Sequence, residues 1–243
     1  MKRYVFTDLH GNYELFKHIQ NQIEKDDIVY CLGDNCDRGP DGIKIILEML
    51  KDKRFIYLLG NHEAMLLDAI NKGTINNEFT FAFFDKEDMK IFRHNGTLET
   101  LRAYMKLSQE DKQFLIEELN KLPIGLFTKG KDNSTVFLSH AGCNPIDLQN
   151  FKPDNKFYWD RKHIAKEKWH YVGEDDLYIV HGHTPVQALS YYSKEFKNMF
   201  INDVVRYCEG HKIDLDVCTP TTNKIALFDL DTFEVTYFTN YTL

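Results

Sequence analysis

Apolar runs of strand length alternate with helical spacing through the first part of the chain. Residues 3–6 form a short apolar-rich run ending at Thr7-Asp8, and Leu15, Phe16, Ile19 and Ile23 recur at helical intervals over 13–24. The alternation repeats with a strand over 28–32, a helix over 41–50 after Gly39-Pro40, and a strand over 55–59. A helix over 62–71 then carries Met65, Leu66 and Ile70 on one face. This β-α-β-α-β-α order predicts parallel strands joined by right-handed crossovers.

From about residue 76 to 121 the pattern turns helical, with Ser108-Gln109-Glu110-Asp111 as a capped start. No flexible linker bounds this stretch, so it reads as a helical insertion beside the sheet, within a single domain of residues 1–243. Asn95-Gly96-Thr97 reads as an inter-helix turn, and Phe79, Phe81, Phe83 and Phe84 as core packing. Strand patterns return at 124–128, 135–138, 178–180, 225–230 and 234–238, the last two flanking Asp231-Thr232 as a hairpin. The expectation is an α/β chain with two sheets packed together and helices outside.

Composition adds bounds. The chain has 243 residues, 43% hydrophobic and 28% charged, ordinary values for a soluble globular protein. Its net charge of -7 argues against a nucleic-acid-binding surface, and no apolar run approaches membrane-span length. Cys31, Cys36, Cys143, Cys208 and Cys218 are odd in number and form no C-x-x-C pair, which reads as reduced thiols in a cytosol. The first residues run straight into a strand and leave no room for a signal peptide, so the expected location is cytoplasmic.

The chemistry sits where the apolar runs stop. Asp8-Leu9-His10 closes the first run; on an extended backbone, residues two apart project to the same side, so both would reach one ion. Asp34 follows the second run, where its two oxygens can bridge two ions. Gly60-Asn61-His62-Glu63 follows the third and offers an amide oxygen and an imidazole. Ser139-His140-Ala141 and His181-Gly182-His183-Thr184-Pro185 close later runs. Each cluster alone is more often a turn, a cap or a satisfied histidine than a ligand. Their recurrence, each closing a strand, is what points to a site. Mixed Asp, His and Asn donors suit manganese, iron or zinc, and a pair of such ions about 3.5–4 Å apart can clamp a phosphoryl group.

Asp8-x-His10-Gly11, Gly33-Asp34-x-x-Asp37-Arg38-Gly39, Gly60-Asn61-His62-Glu63, His140-Ala141 and Gly182-His183-Thr184-Pro185 together resemble the motif set of calcineurin-like metallophosphoesterases. They are most similar to the bacterial and phage type of the phosphoprotein phosphatase family. The resemblance implies an α/β/β/α sandwich and two divalent metal ions, manganese first, with iron or zinc as alternatives. It makes Asp8, His10 and Asp34 the ligands of one ion and Asp34, Asn61, His140 and His183 those of the other. Arg38 would grip phosphate oxygens, joined by Arg161 from a Tyr158-Trp159-Asp160-Arg161 element. His62, paired with Asp37, would protonate the leaving group.

The implied reaction is hydrolysis of a phosphomonoester, phosphoserine or phosphothreonine first, by in-line attack of a metal-bridging hydroxide. The partner is then a phosphoprotein or a phosphorylated small molecule, with no nucleic acid and no membrane. The alternative is a dinucleoside polyphosphate such as diadenosine tetraphosphate, cleaved by the same dinuclear site. A remoter alternative is an inactive binding scaffold. Three positions depart from or add to the pattern. Thr7 stands where a Gly is usual. Residues 213–218 resemble an Ile-Asp-x-Gly element, with Asp216 best aligned to its Asp but without the glycines that should follow. His181 replaces an apolar residue and reads as a strand end. Cys36 lies within the second motif, but that alone does not make it a redox sensor.

Overall fold

The computed structural model describes residues 1–165, 169 and 176–240. In chain order it contains β1 (Arg3–Phe6), α1 (Tyr13–Gln22), β2 (Ile28–Cys31), α2 (Gly42–Lys51), β3 (Phe55–Tyr57) and α3 (Asn61–Gly73). Next come β4 (Thr74–Ile75), β5 (Glu78–Phe79), α4 (Lys86–Asn95), α5 (Thr97–Met105) and α6 (Gln109–Leu119). The remainder is β6 (Gly125–Lys129), β7 (Thr135–Ser139), α7 (Lys156–Trp159), β8 (Leu177–His181), β9 (Val205–Tyr207), β10 (Lys212–Asp214), α8 (Thr219–Thr222), β11 (Lys224–Asp229) and β12 (Val235–Thr239).

Two five-stranded mixed sheets result, in the orders β12-β11-β1-β2-β3 and β6-β7-β8-β10-β9. Strands β1, β2 and β3 run parallel, as do β7, β8 and β10, while β11 and β12 in the first sheet and β6 and β9 in the second pair antiparallel. Period-two alternation sorts the side chains into layers. Val5, Tyr30, Leu32, Val136, Leu138, Val180 and Phe228 meet between the sheets. Tyr4, Phe6, Val29 and Cys31 face the other way, onto Leu15, Phe16, Ile19, Ile45 and Ile46 of the helices. On the far side of the second sheet, Phe137 and Ile179 pack on Phe157 and Leu148. The four layers are those of an α/β/β/α sandwich, although the last is built of α7 and short 3-10 turns rather than long helices.

The middle of the chain departs from its expected pattern. Helix does not begin at residue 76: β4 and β5 form a hairpin whose turn residues Asn76 and Asn77 both have positive φ, 52° and 66°. Two left-handed residues are what a tight two-residue hairpin requires, and Asn accepts that conformation readily. Phe79, Phe81 and Phe84 pack in T-shaped and tilted pairs, with Phe84 against Phe92 of α4, while Phe83 is 45% exposed. The second sheet also gains β9 and β10. These three-residue strands interrupt their apolar pattern with Arg206 and a buried Lys212.

Two glycines decide how the ends of the strands approach. Gly33 has φ of 110°, and a Cβ there would lie 2.5 Å from the backbone N and Cα of Gly60. Gly96, with φ of 80°, ends α4 and presses its backbone against that of Arg38. Gly33→Ala is therefore expected to cost more than about 2 kcal/mol, combining a left-handed alanine with backbone overlap. Urea unfolding of the two proteins checks it; an unchanged midpoint would mean the loops have slack.

Candidate metal centre

The carboxyl ends of the parallel strands of both sheets open on one edge, where ligands gather in open α/β sheets. The turn after β1 carries Asp8 and His10, that after β2 Asp34, Asp37 and Arg38, and α3 begins at Asn61 directly after β3. The turns after β7 and β8 carry His140 and His183. Backbone bonds tie these turns together: Asp8 N to Gly33 O at 3.0 Å, His10 N to Asp34 O at 3.0 Å and Gly182 N to His140 O at 2.8 Å.

Asp34 lies at the centre. Its Oδ2 is 3.2 Å from Nε2 of His140, 3.7 Å from Nε2 of His62 and 4.0 Å from Nε2 of His10. Its Oδ1 accepts the His62 amide at 2.9 Å. Burial alone would raise its pKa, but the imidazoles of His140, His62 and His10 prevail and hold the carboxyl well below the usual range. Asp8 goes the other way: burial, with the charge of Asp34 adding and His140 partly offsetting, raises it.

The histidines are wired for a cation. Nδ1 of His10 lies 3.0 Å from the Cys36 carbonyl, and Nδ1 of His140 lies 3.0 Å from the Leu32 carbonyl. A carbonyl can only accept, so both rings carry a proton on Nδ1 and present Nε2 to the site. Nε2 of His140 then faces Asp34 Oδ2 and Asn61 Oδ1, the latter at 3.0 Å. A nitrogen lone pair facing two oxygens demands a positive charge between them, from a metal ion or a proton. A proton answers that demand strongly: although burial opposes it, Asp34 raises the pKa of His140 to about 9. His183 keeps a buried Nε2 with no hydrogen-bond partner among the described residues, and burial holds His10 down to about 3. The neutral imidazoles of His10 and His183, a shared carboxylate and an orphaned nitrogen fit metal ions. The groups His10, Asp34, His62 and Asp34, His140, His183 each bring their donor atoms within 4.8 Å of one another.

Every expected residue meets here. His10, Asp34, Arg38, Asn61, His62, Arg161 and His183 line one cleft together with Asp216 and Cys218. Asp8 reaches His10, its Oδ1 lying 3.8 Å from Nε2, while Asp8 Oδ2 accepts from Thr7 Oγ1 and His183 N at 2.6 and 3.1 Å. They converge for a different reason from the extended alternation expected above. Asp8 and His10 have φ of 56° and 46°, and Asp34, Asp37, Arg38 and His183 are also left-handed, at 58°, 66°, 64° and 70°. Strain of this kind persists where the surrounding structure over-determines it.

The Asp37–His62 pair is close, Nδ1 to Oδ2 at 2.7 Å. Its support comes from the middle of the chain: Thr97 and Thr100 of α5 donate to the two oxygens of Asp37 at 2.8 and 2.7 Å. Asn95-Gly96-Thr97 is thus more than a turn. Burial lowers the pKa of His62, but Asp34 and Asp37 outweigh it and the ring is raised. Glu63, quoted in the third motif without a role, is fully buried and accepts the amides of Asp34 and Asn35, both at 2.8 Å. Its motif position was the available signal. His181 ends β8 and lies outside the cleft. The Cys36 thiol is buried and pushed up by burial and by Asp37, far from a reactive thiolate.

The profile of the family described as calcineurin-like phosphoesterase matches residues 1–218. This chain belongs to that family. A bis(5'-nucleosyl)-tetraphosphatase (symmetrical) from Wigglesworthia glossinidia brevipalpis is 42% identical over 190 residues, 70% of this chain and 61% of that protein. The match therefore spans less than two thirds of that relative's length. Serine/threonine-protein phosphatase 2 of Salmonella typhimurium is 41% identical over 219 residues, 86% of this chain and 89% of that protein. A metallophosphoesterase structure from Sphaerobacter thermophilus shares the fold, with a TM-score of 0.54 over 99% of this chain and 89% of that one, at 17% identity. No disulfide joins any of the five cysteines, and no helix among the described residues is long and apolar enough to cross a membrane.

Glu63→Gln keeps the volume but offers an NH2 group where two amides need acceptors. The expected result is a loss of about 1–3 kcal/mol on urea unfolding, from a buried amide left unpaired. Unchanged stability would show that Asp34 is held by other means.

Proposed function

We propose that this chain is a metal-dependent phosphomonoester hydrolase acting on phosphoserine or phosphothreonine in proteins. Asp8, His10 and Asp34 would hold one divalent ion, and Asp34, Asn61, His140 and His183 the other, with manganese the first choice and iron or zinc as alternatives. Bound there, the ions supply Lewis-acid charge and lower the pKa of a coordinated water. Arg38 and Arg161, in the same cleft, meet the phosphate oxygens with planar, multidentate donors. They hold the phosphorus in line and offset the charge that grows on its oxygens.

The observation that carries the reading is the Asp37–His62 pair and its threonine brace. The alkoxide of serine or threonine is a poor leaving group unless protonated. An imidazole raised by two carboxylates holds its proton beside Asp34 until the ester oxygen needs it. A phosphoanhydride leaves with far less help, so a braced acid favours an ester. The coverage of the Salmonella relative over 89% of its length supports the same choice. The diadenosine tetraphosphate reading draws on the relative from Wigglesworthia.

His62 also groups geometrically with His10 and Asp34, so its variant separates acid from ligand. His62→Asn is expected to keep two bound Mn2+ and lose about 100- to 10,000-fold in kcat on a phosphothreonine peptide. The loss should be much smaller on p-nitrophenyl phosphate, whose phenolate departs readily. Equal losses on both, or a missing ion, would make His62 a ligand instead. For the substrate, kcat/KM on the peptide is expected to exceed that on diadenosine tetraphosphate by about 100-fold or more, with Asp34→Asn as the inactive control. The reverse preference would make this a nucleotide hydrolase; a wild type no better than Asp34→Asn would return the scaffold.

A further inference from the structure

Behind the turns that follow β7 and β8 lies a second buried polar group, unused by the chemistry above. His163 and His181 are fully buried, their ring centroids 5.1 Å apart at 89°. The Tyr207 hydroxyl reaches both, 2.8 Å from Nε2 of His181 and 3.3 Å from Nδ1 of His163. On their other sides, Nε2 of His163 lies 2.6 Å from the Ala141 carbonyl and Nδ1 of His181 lies 3.1 Å from the Gly182 carbonyl.

Carbonyls only accept, so His163 is protonated on Nε2 and His181 on Nδ1. The remaining nitrogens are acceptors. Tyr207 gives its one proton to His181, and Lys212, with Nζ 3.4 Å from Nδ1 and 3.0 Å from the carbonyl oxygen of His163, serves His163. Two proton-matched chains follow: Tyr207 to His181 to Gly182, and Lys212 to His163 to Ala141.

Both chains end on backbone adjoining a predicted ligand. Ala141 follows His140, and Gly182 precedes His183. Gly142, with φ of 76°, lies flat on the two rings, where a Cβ would come within 2.9 Å of each. His10 rests instead on the Cys36 carbonyl. We propose that Tyr207, His181, His163 and Lys212 are positioning residues that set the spacing of His140 and His183, and with it the affinity of the ion position those two share. The proposal rests on the two-ion reading given above.

Titration of metal-free protein with Mn2+, followed by calorimetry and by the Mn2+ EPR signal, should resolve two sites in the wild type. Tyr207→Phe keeps the ring and loses the donor; one site is expected to weaken about 10- to 100-fold while the other stays as it was. His163→Gln retains an amide N–H for the Ala141 carbonyl and should keep both sites, whereas His163→Leu should weaken the same site as Tyr207→Phe. Melting of the metal-free variants separates positioning from a general loss of fold. Two unchanged sites in Tyr207→Phe, or both weakened together with a lower metal-free Tm, would overturn the role. A wild type that binds fewer than two ions would overturn the dinuclear reading and the role with it.

Discussion

The centre depends on how one carboxylate is held. Asp34 sits at a left-handed turn, its amide fixed by Glu63, one oxygen by the amide of His62, the other ringed by three imidazoles. An unpaired carboxylate in such a buried position would be neutralised by a proton. Here the surrounding donors keep it charged, and that charge shapes the rest: it raises His140 and His62 and, with burial, pushes Asp8 upward. Moving Asp34 by a fraction of an ångström would change every one of these interactions at once. That explains why Gly33 and Gly60, which let the turns after β2 and β3 touch, matter to the chemistry as well as the fold.

The helices inserted after α3 act on the same centre from outside. They contribute none of the proposed ligands, yet α5 supplies the hydroxyls that fix Asp37, and the α4–α5 joint presses on Arg38. The proposed acid His62, through Asp37, and the proposed phosphate-binding Arg38 are therefore steadied by a segment that a sheet-centred description would treat as an accessory.

Much of this arrangement was legible in the residue order because polar clusters at the ends of strands, here the proposed ligands, are local signals. Asp8, His10, Asp34, Asn61, His140 and His183 each follow an apolar run and could be picked out before any contact was known. What escaped depends on contacts between distant segments. Thr97 and Thr100 look like ordinary helix residues until α5 is laid against the turn that holds Asp37, some sixty positions earlier. Strands β9 and β10 were hidden because Lys212, whose charge argues for solvent, is buried beside His163. The expected extended geometry at Asp8 and His10 failed for a simpler reason. Strand alternation stops where the strand does, and the turn beyond it has its own handedness.

The bond from the His183 amide to Asp8 joins residues 175 positions apart, from the ends of β8 in one sheet and β1 in the other. Closing so long a loop costs entropy that local structure cannot repay in advance. The cleft therefore exists only once the turns after β1 and β8 have met. A nascent or half-unfolded chain carries scattered histidines and aspartates, but none of the charge geometry that would let it act on a stray phosphate. The charge geometry of the cleft is thus a property of the two joined sheets, and no single segment carries it.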